Sequence, residues 1–549
     1  MEEHIVVVGG GTMGAGIAAV AARGGYAVTL VEPAAAAREH ARDRVARAAE
    51  RAGDRAIGER VDVVEAVPQS ERVTLAIEAV PERLELKQSV FAELEQRLSS
   101  AVLATNTSSL SVAEIAEAVA EPQRVVGLHF FNPPEAMAFV EIVRAPATEE
   151  EALDRARAFV ERIGKTGIVT ADTPGFVVNR IARPYYLQSI RALEAGTASI
   201  EELDALARGV GFRMGPFELM DLIGLDVNLA TSESVYARTG EERFEPLAMQ
   251  RTLVAQGRLG RKSGVGFYSY DGTPPRLELA RVPKEKPEGR ERITIVGAGG
   301  LADDLAAALE RHFAPVQRIE DDELLDELSD ETTIVIDLGD GSSARNTVIQ
   351  KLDARLPAEC VIFADAYATD IGACAQHLAH PERFVGFGIL GSLDRQQGVE
   401  IVDSDAASDD ALGLGQEMFE AIGRGVILVA DTPGLFLGRV VGSIINEAVT
   451  AVEEGVASSE DVDIAMRLGT NYPVGPIEWG REIGGARITR VLKRLAESDG
   501  EAFAPNRALW VLDVEDEMQP FPPDGYGYDS VIPLSQNSVQ TETVGPDAE

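Results

Sequence analysis

The hydrophobic positions change rhythm along the chain. Short Val- and Ile-rich runs, such as IVVV (5–8), AVTLV (27–31) and FVEIV (139–143), alternate with longer amphipathic stretches. Runs of that length predict β-strands, and their alternation with helical stretches predicts a parallel α/β sheet. From Pro174 to about residue 260 the rhythm is helical. Ile181, Tyr185 and Ile190 fall on one helical face, and Pro174 suits a first helical turn.

The same plan is then written a second time. VTADTPGFVVNR (169–180) returns as LVADTPGLFLGR (428–439), and ALEAGTAS (192–199) as AVEEGVAS (451–458). GFRMGPFELMDLIG (211–224) returns as TNYPVGPIEWGREIG (470–484) with a one-residue slip, and EPQRVVGLHF (121–130) as HPERFVGFGI (380–389). FVEIV (139–143) matches GVEIV (398–402), and the opening IVVVGGGTMGAG (5–16) has a weaker echo in ITIVGAGGLADD (293–304). Pro122 and Pro381 are 259 residues apart, as are Asp172 and Asp431. This is a tandem duplication with an unequal first part. The expected organisation is an α/β domain over 1–182, a helical domain over 183–275 and a Pro- and charge-rich linker over 276–290. A reduced α/β domain then covers 291–430, a second helical domain 431–515 and a flexible tail 516–549.

Composition narrows the class. At about 150 residues per domain, 549 residues suggest three to four domains, and 45% apolar residues can fill several cores. No apolar run approaches the roughly 18 residues of a membrane span. The acidic lead of MEEHIVVVGGG followed by glycines predicts a first strand rather than a signal peptide. Two cysteines, Cys360 and Cys374, have no metal-ligand spacing to a histidine pair, so no metal is expected and both read as ordinary thiols of a cytoplasmic protein. A net charge of −39 argues against nucleic acid as a partner. It also means that a phosphate-bearing ligand must be held by local geometry. The acidity suits either high salt or simply an acidic soluble protein.

One such geometry stands at the start. Gly9-x-Gly11-x-x-Gly14 follows the strand Ile5–Val8 and precedes a helix from about Met13. A second strand ends in Glu32, 18 residues beyond Gly14. Glycines let a backbone approach a pyrophosphate, and a helix N-terminus offers unpaired N–H groups to it. Glu32 can accept from ribose hydroxyls and would repel a 2′-phosphate, which favours NAD over NADP. The fold class expected is therefore an α/β Rossmann-type dinucleotide-binding domain plus an all-α domain, followed by a degenerate second copy of both. In that copy Ala302 replaces the third glycine and Asp303 and Asp304 sit at the helix start, so no dinucleotide is expected there.

The first copy, roughly residues 3 to 270, resembles the short-chain L-3-hydroxyacyl-CoA dehydrogenases. GGGTMGAGIA, IEAVPERLELKQSVF, ATNTSSL, GLHFFNPPEAMAFVEIV and DTPGFVVNR occur in the family's order, and RLGRKSGVGFYSY also matches. The whole chain is similar to the two-module members found among phenylacetate-pathway and hydroxybutyryl-CoA dehydrogenases. The resemblance implies NAD-linked oxidation of a 3-hydroxyacyl-CoA to a 3-oxoacyl-CoA in β-oxidation-type metabolism. It implies His129 as general base, Glu141 as its orienting carboxylate, Ser108 at the substrate hydroxyl and Asn179 near the substrate oxygen. It further implies Gly9, Gly11, Thr12, Met13, Gly14 and Glu32 around the dinucleotide. Glu82, Lys87 and Asn106 match positions near its ribose and nicotinamide. Helical domains pair as a dimer in that family. The two copies here are expected to imitate that pairing within one chain, with further self-association open.

The chemistry of an alcohol oxidation fits these residues. An alcohol is a weak acid, so a base must take its proton as hydride leaves. Histidine, with an unperturbed pKa of about 6.5, can do so, and a carboxylate behind it fixes the tautomer and stabilises the buried cation. Each residue also has a plain structural role: a core histidine, a strand-edge carboxylate, a helix-capping serine, a helix-surface amide. At the 259-residue offset Ser108 becomes Tyr367, His129 becomes Gly388 and Asn179 becomes Gly438, while Glu141 persists as Glu400. The second copy is thus expected to be a non-catalytic support. Two other functions stay open at this stage: a dehydrogenase of a free 3-hydroxy acid, and a non-enzymatic NAD-binding structural or regulatory protein.

Overall fold

The computed structural model describes residues 3–273, 276–279, 292–313, 316–320, 328–329, 331–339, 343–367 and 369–514. Most of the expected linker and the whole of the expected tail lie outside the described residues. The first sheet has eight strands: β1 (His4–Val8), β2 (Ala27–Val31), β3 (Val61–Val64), β4 (Val73–Glu78), β5 (Val102–Thr105), β6 (Val125–Phe130), β7 (Phe139–Arg144) and β8 (Thr166–Ala171). Their spatial order is β3-β2-β1-β4-β5-β6-β7-β8. All neighbours are parallel except β6 and β7, which run antiparallel. The strands are almost continuously buried because helices cover both faces. The order reverses between β1 and β4, which opens a crevice at the carboxyl ends of the strands, where such sheets bind ligands.

The second sheet repeats this with seven strands: β9 (Ile293–Val296), β10 (Val316–Ile319), β11 (Ile334–Asp337), β12 (Val361–Asp365), β13 (Phe384–Gly388), β14 (Gly398–Asp403) and β15 (Gly425–Ala430). The order is β10-β9-β11-β12-β13-β14-β15, again with one antiparallel pair, β13 and β14. Among the described residues nothing corresponds to β3, which accounts for the unequal first part of the repeat.

The helical segment after each sheet begins later than the sequence pattern predicts. Pro174 lies in a turn, not in a first helical turn. Gly175 and Phe176 take φ of +79° and +50°, and the helix starts only at Val178. Gly434 and Leu435, 259 residues on, take φ of +71° and +47°. A left-handed phenylalanine or leucine costs on the order of 1–3 kcal/mol, and both copies carry it because the turn aims two backbone N–H groups at a buried carboxylate. Pro184 then splits the first copy's helix into Val178–Ile181 and Arg183–Glu194. The second copy has Ser443 there and keeps one helix, Leu435–Glu453. That helix is 19 residues long, with a mean hydropathy of 1.4, long and apolar enough to span a membrane, contrary to the expectation that no run approaches that length. It is a core helix: 89% of the apolar window is buried inside the protein.

The two copies pack through their helical segments, Arg183–Glu194 against Leu435–Glu453. Their contacts exchange residues across the offset. The Ala171 N–H donates to the Val456 carbonyl at 2.8 Å, and the Ala430 N–H donates to the Thr197 carbonyl at 2.9 Å. Ala430 and Val456 are the counterparts of Ala171 and Thr197, so the two bonds are mates about a pseudo-twofold axis.

Candidate functional site

Gly9 and Gly14 are glycines for internal reasons. Gly9 has φ of +109°, and a Cβ there would lie 2.6 Å from the Ala79 carbonyl oxygen. A Cβ on Gly14 would lie 1.9 Å from the Gly9 carbonyl oxygen. Gly11 is different: its Cβ would meet nothing within 4 Å. Gly11 is the N-cap of the helix Thr12–Arg23, whose first turn carries no side-chain cap and no acidic residue. Thr12 and Met13 open that helix. The uncapped N–H groups and the open space at Gly11 fit a bound pyrophosphate. At the end of β2, Glu32 accepts from the Gly10 N–H at 3.0 Å and the Ala34 N–H at 3.1 Å. These fix the carboxylate and leave further lone pairs for ribose hydroxyls.

Next to the glycine turn, the loop after β4 rests on a buried ion pair. Lys87 is 0% exposed, and its ammonium donates to both oxygens of Glu78 at 2.8 and 3.0 Å. It also lies 3.2 Å from the Glu82 carboxylate. Lys87 thus sits at the base of the loop after β4, its ammonium held between the Glu78 and Glu82 carboxylates. Its N–H groups are committed, and what it presents upward is Glu82. Glu82 in turn gathers the loop after β5. It accepts from the Thr107 hydroxyl at 2.5 Å, the Ser108 N–H at 2.9 Å and the Ser109 N–H at 3.0 Å. Burial pushes its pKa up, but the Lys87 charge and these donors outweigh it and hold it down at about 2. Asn106 accepts the Phe130 N–H at 2.8 Å, which ties this loop to the end of β6.

His129 and Glu141 answer each other across the antiparallel pair of strands. They are direct register partners on β6 and β7, so their side chains share one face. His129 is 6% exposed and Glu141 fully buried. Nδ1 of the imidazole is 2.6 Å from Glu141 Oε2. The other oxygen accepts the N–H groups of Val177 and Val178 at 3.0 and 2.9 Å, the pair aimed by the left-handed turn. Phe131 and Phe176 flank the imidazole, with ring centroids 4.6 and 5.7 Å away. Asn179 follows on the same short helix, and its amide donates to the Ser108 carbonyl at 3.4 Å. Ser108 itself is exposed. It caps no helix: the cap of the following helix is Ser111, which accepts from the Glu114 N–H. The four expected catalytic residues and the glycine turn thus form one connected set along the carboxyl edge of the sheet.

The sequence did not show how the second copy fills the corresponding space. Gly388 and Glu400 keep the same register. Glu400 keeps the same N–H cradle, with Phe436 donating at 2.7 Å. Tyr367, at the Ser108 position, is fully buried and donates its hydroxyl to Glu400. A Cβ on Gly388 or Gly438 would stand 2.9 or 2.8 Å from its ring. The tyrosine occupies the volume that the lost histidine and asparagine vacated. Behind it a cavity of about 370 Å³ remains between Gly299, Gly300, Leu338, Leu390 and Glu482. Arg487 bridges it, donating to the Leu390 and Ile389 carbonyls and to Asp365. At the helix start Asp303 pairs with Arg318, and Asp304 accepts the Leu393 N–H. The counterparts of Asp365 and Arg487 in the first copy are Asn106 and, with the one-residue slip, Val227, so that crevice carries no such bar.

Known proteins show the same double arrangement. The NAD-binding domain of 3-hydroxyacyl-CoA dehydrogenase matches residues 4–173 and 310–432. The C-terminal domain of that enzyme matches 175–270 and 434–519. The chain is 37% identical over 513 residues to a 3-hydroxyadipyl-CoA dehydrogenase of Escherichia coli, covering 91% of this chain and 94% of that one. It is 40% identical over 282 residues to a 3-hydroxybutyryl-CoA dehydrogenase of Mycobacterium tuberculosis, covering 49% of this chain and 98% of that one. A crystal structure of a 3-hydroxybutyryl-CoA dehydrogenase from Escherichia coli K12 aligns with a TM-score of 0.73 at 34% identity, over 93% of this chain and 98% of that one. The chain belongs to the 3-hydroxyacyl-CoA dehydrogenase family, and it carries both of the family's domains twice.

Proposed function

We propose that this protein oxidises 3-hydroxyacyl-CoA to 3-oxoacyl-CoA with NAD, and that the first copy alone does the chemistry. The observation that carries the assignment is the 2.6 Å contact of His129 Nδ1 with the buried Glu141 carboxylate at the edge of the crevice. With Nδ1 committed to Glu141, Nε2 is the nitrogen left to accept the substrate's hydroxyl proton. The carboxylate offsets the cost of the imidazolium that results. When bound, the nicotinamide supplies the acceptor for the hydride from C3. Gly9, Gly11, Thr12, Met13, Gly14 and Glu32 hold the dinucleotide, and Glu82, Lys87 and Asn106 border it. Ser108 and Asn179 orient the hydroxyl that reacts. General-base catalysis contributes on the order of 10²–10⁴-fold, and alignment in the crevice supplies the rest.

The second copy stands in for the partner subunit of a dimer, since its helices meet those of the first about a pseudo-twofold axis. Its own crevice is crossed by Arg487, and Asp303 and Asp304 stand at the helix start where a pyrophosphate would lie, a poor environment for a dinucleotide. The two cysteines are free and buried, which suits a reducing cytoplasm. The test is NADH formation from 3-hydroxybutyryl-CoA and 3-hydroxyadipyl-CoA, compared with the free acids and with His129→Gln. CoA-dependent turnover that falls by about 10²-fold or more in the variant, with NADH affinity kept, supports the reading. Equal turnover of free acids, or a fully active variant, removes it.

A further inference from the structure

The short helix Val178–Ile181 carries Asn179 and, at its start, the N–H groups that Glu141 accepts. Four residues form no stable helix by themselves, so its position is set by what grips it. Glu141 holds one end. The other end is held by the second copy. Arg180 is 5% exposed and donates Nε to Glu447 at 2.6 Å and Nη1 to Glu454 at 2.6 Å. The second oxygen of Glu447, itself 2% exposed, accepts from Arg243 at 2.7 Å. One buried carboxylate of the second copy, which has no counterpart of His129, thus fastens the catalytic segment to the far part of its own helical domain.

The mirror contact lacks this. At the 259-residue offset Arg180 corresponds to Arg439 and Glu447 to Gln188. Arg439 donates to the Gln188 amide oxygen at 3.1 Å and is neutralised by Asp499 of its own copy. The copy with the histidine receives carboxylates from across the pseudo-twofold axis, while the copy without it receives an amide. Packing alone would call for no such difference. A carboxylate can serve two guanidiniums, and charge-assisted bonds are about twice as strong as neutral ones.

We propose that Glu447 is a positioning residue for the reaction in the other copy: through Arg180 it holds the helix that presents Asn179 and braces Glu141 behind His129. This rests on the reading of His129 as the base. In the full chain, Glu447→Gln leaves one acceptor oxygen for two arginines. The expected result is a kcat lower by about 10- to 100-fold, with the KM for 3-hydroxybutyryl-CoA and the NADH affinity within a few-fold of the parent and a shifted pH profile of kcat. Arg439→Gln, which breaks the mirror contact in the same interface, lowers the melting temperature and leaves kcat unchanged. Should Glu447→Gln not fold, Glu454→Gln, at a half-exposed position, carries the same test with a several-fold fall in kcat. An unchanged kcat in the Glu447 variant, or equal losses in the Glu447 and Arg439 variants, overturns the proposal. Absence of CoA-dependent turnover in the parent, or full turnover in His129→Gln, would instead strike the underlying reading.

Discussion

Glu141→Gln separates chemistry from architecture, because the protein contains its own control. One oxygen of Glu141 is needed by the Val177 and Val178 N–H groups, so the glutamine carbonyl must turn to them. The amide NH₂ then faces His129 Nδ1 and donates to it, which moves the ring proton to Nε2. An imidazole with its proton on Nε2 cannot accept one there, and its cation has lost its counter-charge. The whole base contribution goes, on the order of 10²–10⁴-fold in kcat or roughly 3–5 kcal/mol. Glu400→Gln alters the same cradle in the second copy, where Tyr367 replaces the histidine. Burial pushes Glu400 up to about 7, against the Tyr367 and backbone donors. A folded-state pKa above the ordinary carboxylate value means that stability falls as pH rises from about 4.5 to about 7 and is level beyond. The accumulated cost is on the order of 3 kcal/mol. An amide does not titrate. Glu400→Gln should therefore match the parent near pH 5 and melt higher near pH 8, with kcat untouched. The assays are NADH absorbance with 3-hydroxybutyryl-CoA and thermal melts at both pH values. A Glu141→Gln enzyme within about tenfold of the parent, or a Glu400→Gln enzyme that loses activity equally, would refute the tautomer argument.

The glycine turn offers a second contrast: Gly11→Ala should keep the melting temperature and raise the NADH Kd by about tenfold or more, whereas Gly9→Ala should lower the melting temperature, because its backbone is left-handed and its Cβ would meet Ala79. Glu32→Ala should lower the ratio of kcat/KM for NAD to that for NADP by about 10- to 100-fold, the value of losing charged hydrogen bonds to ribose; an unchanged ratio removes Glu32 from cofactor choice. The folded-state pKa of Glu82 lies below the ordinary value. Its contribution to stability is present above about pH 4.5 and lost as pH falls toward about 2, so the melting-temperature gap between parent and Glu82→Gln should close on acidification.

Much of this molecule was legible because its constraints are periodic. The strand runs, the glycine fingerprint and the offset repeat each encode backbone geometry directly, whereas the antiparallel step that seats Glu141 opposite His129 departs from the parallel sheet that those runs predict. Pro174 misled because a proline signals a helix start and a turn equally well; the left-handed Phe176 that decides between them leaves no mark in the sequence. For Lys87 a motif match fixes position along the chain and not depth, and the depth comes from Glu78, a strand-end residue with no pattern of its own. Tyr367 showed only as a substitution. That it fills the room freed by two glycines is a matter of volume, visible once Gly388 and Gly438 are seen to face it. Arg180 and Glu447 are 267 residues apart and escape any local rule.

The paired main-chain bonds Ala171–Val456 and Ala430–Thr197 join halves that share one covalent thread. Tethering turns association into an intramolecular event with an effective concentration in the millimolar range, so dilution cannot part the halves. A separate dimer partner must satisfy its own interface and its own crevice with the same residues. On the proposed reading a fused one is released from the second duty, so that residues such as Tyr367, Gly388 and Gly438 are free to fill the crevice while the interface is kept.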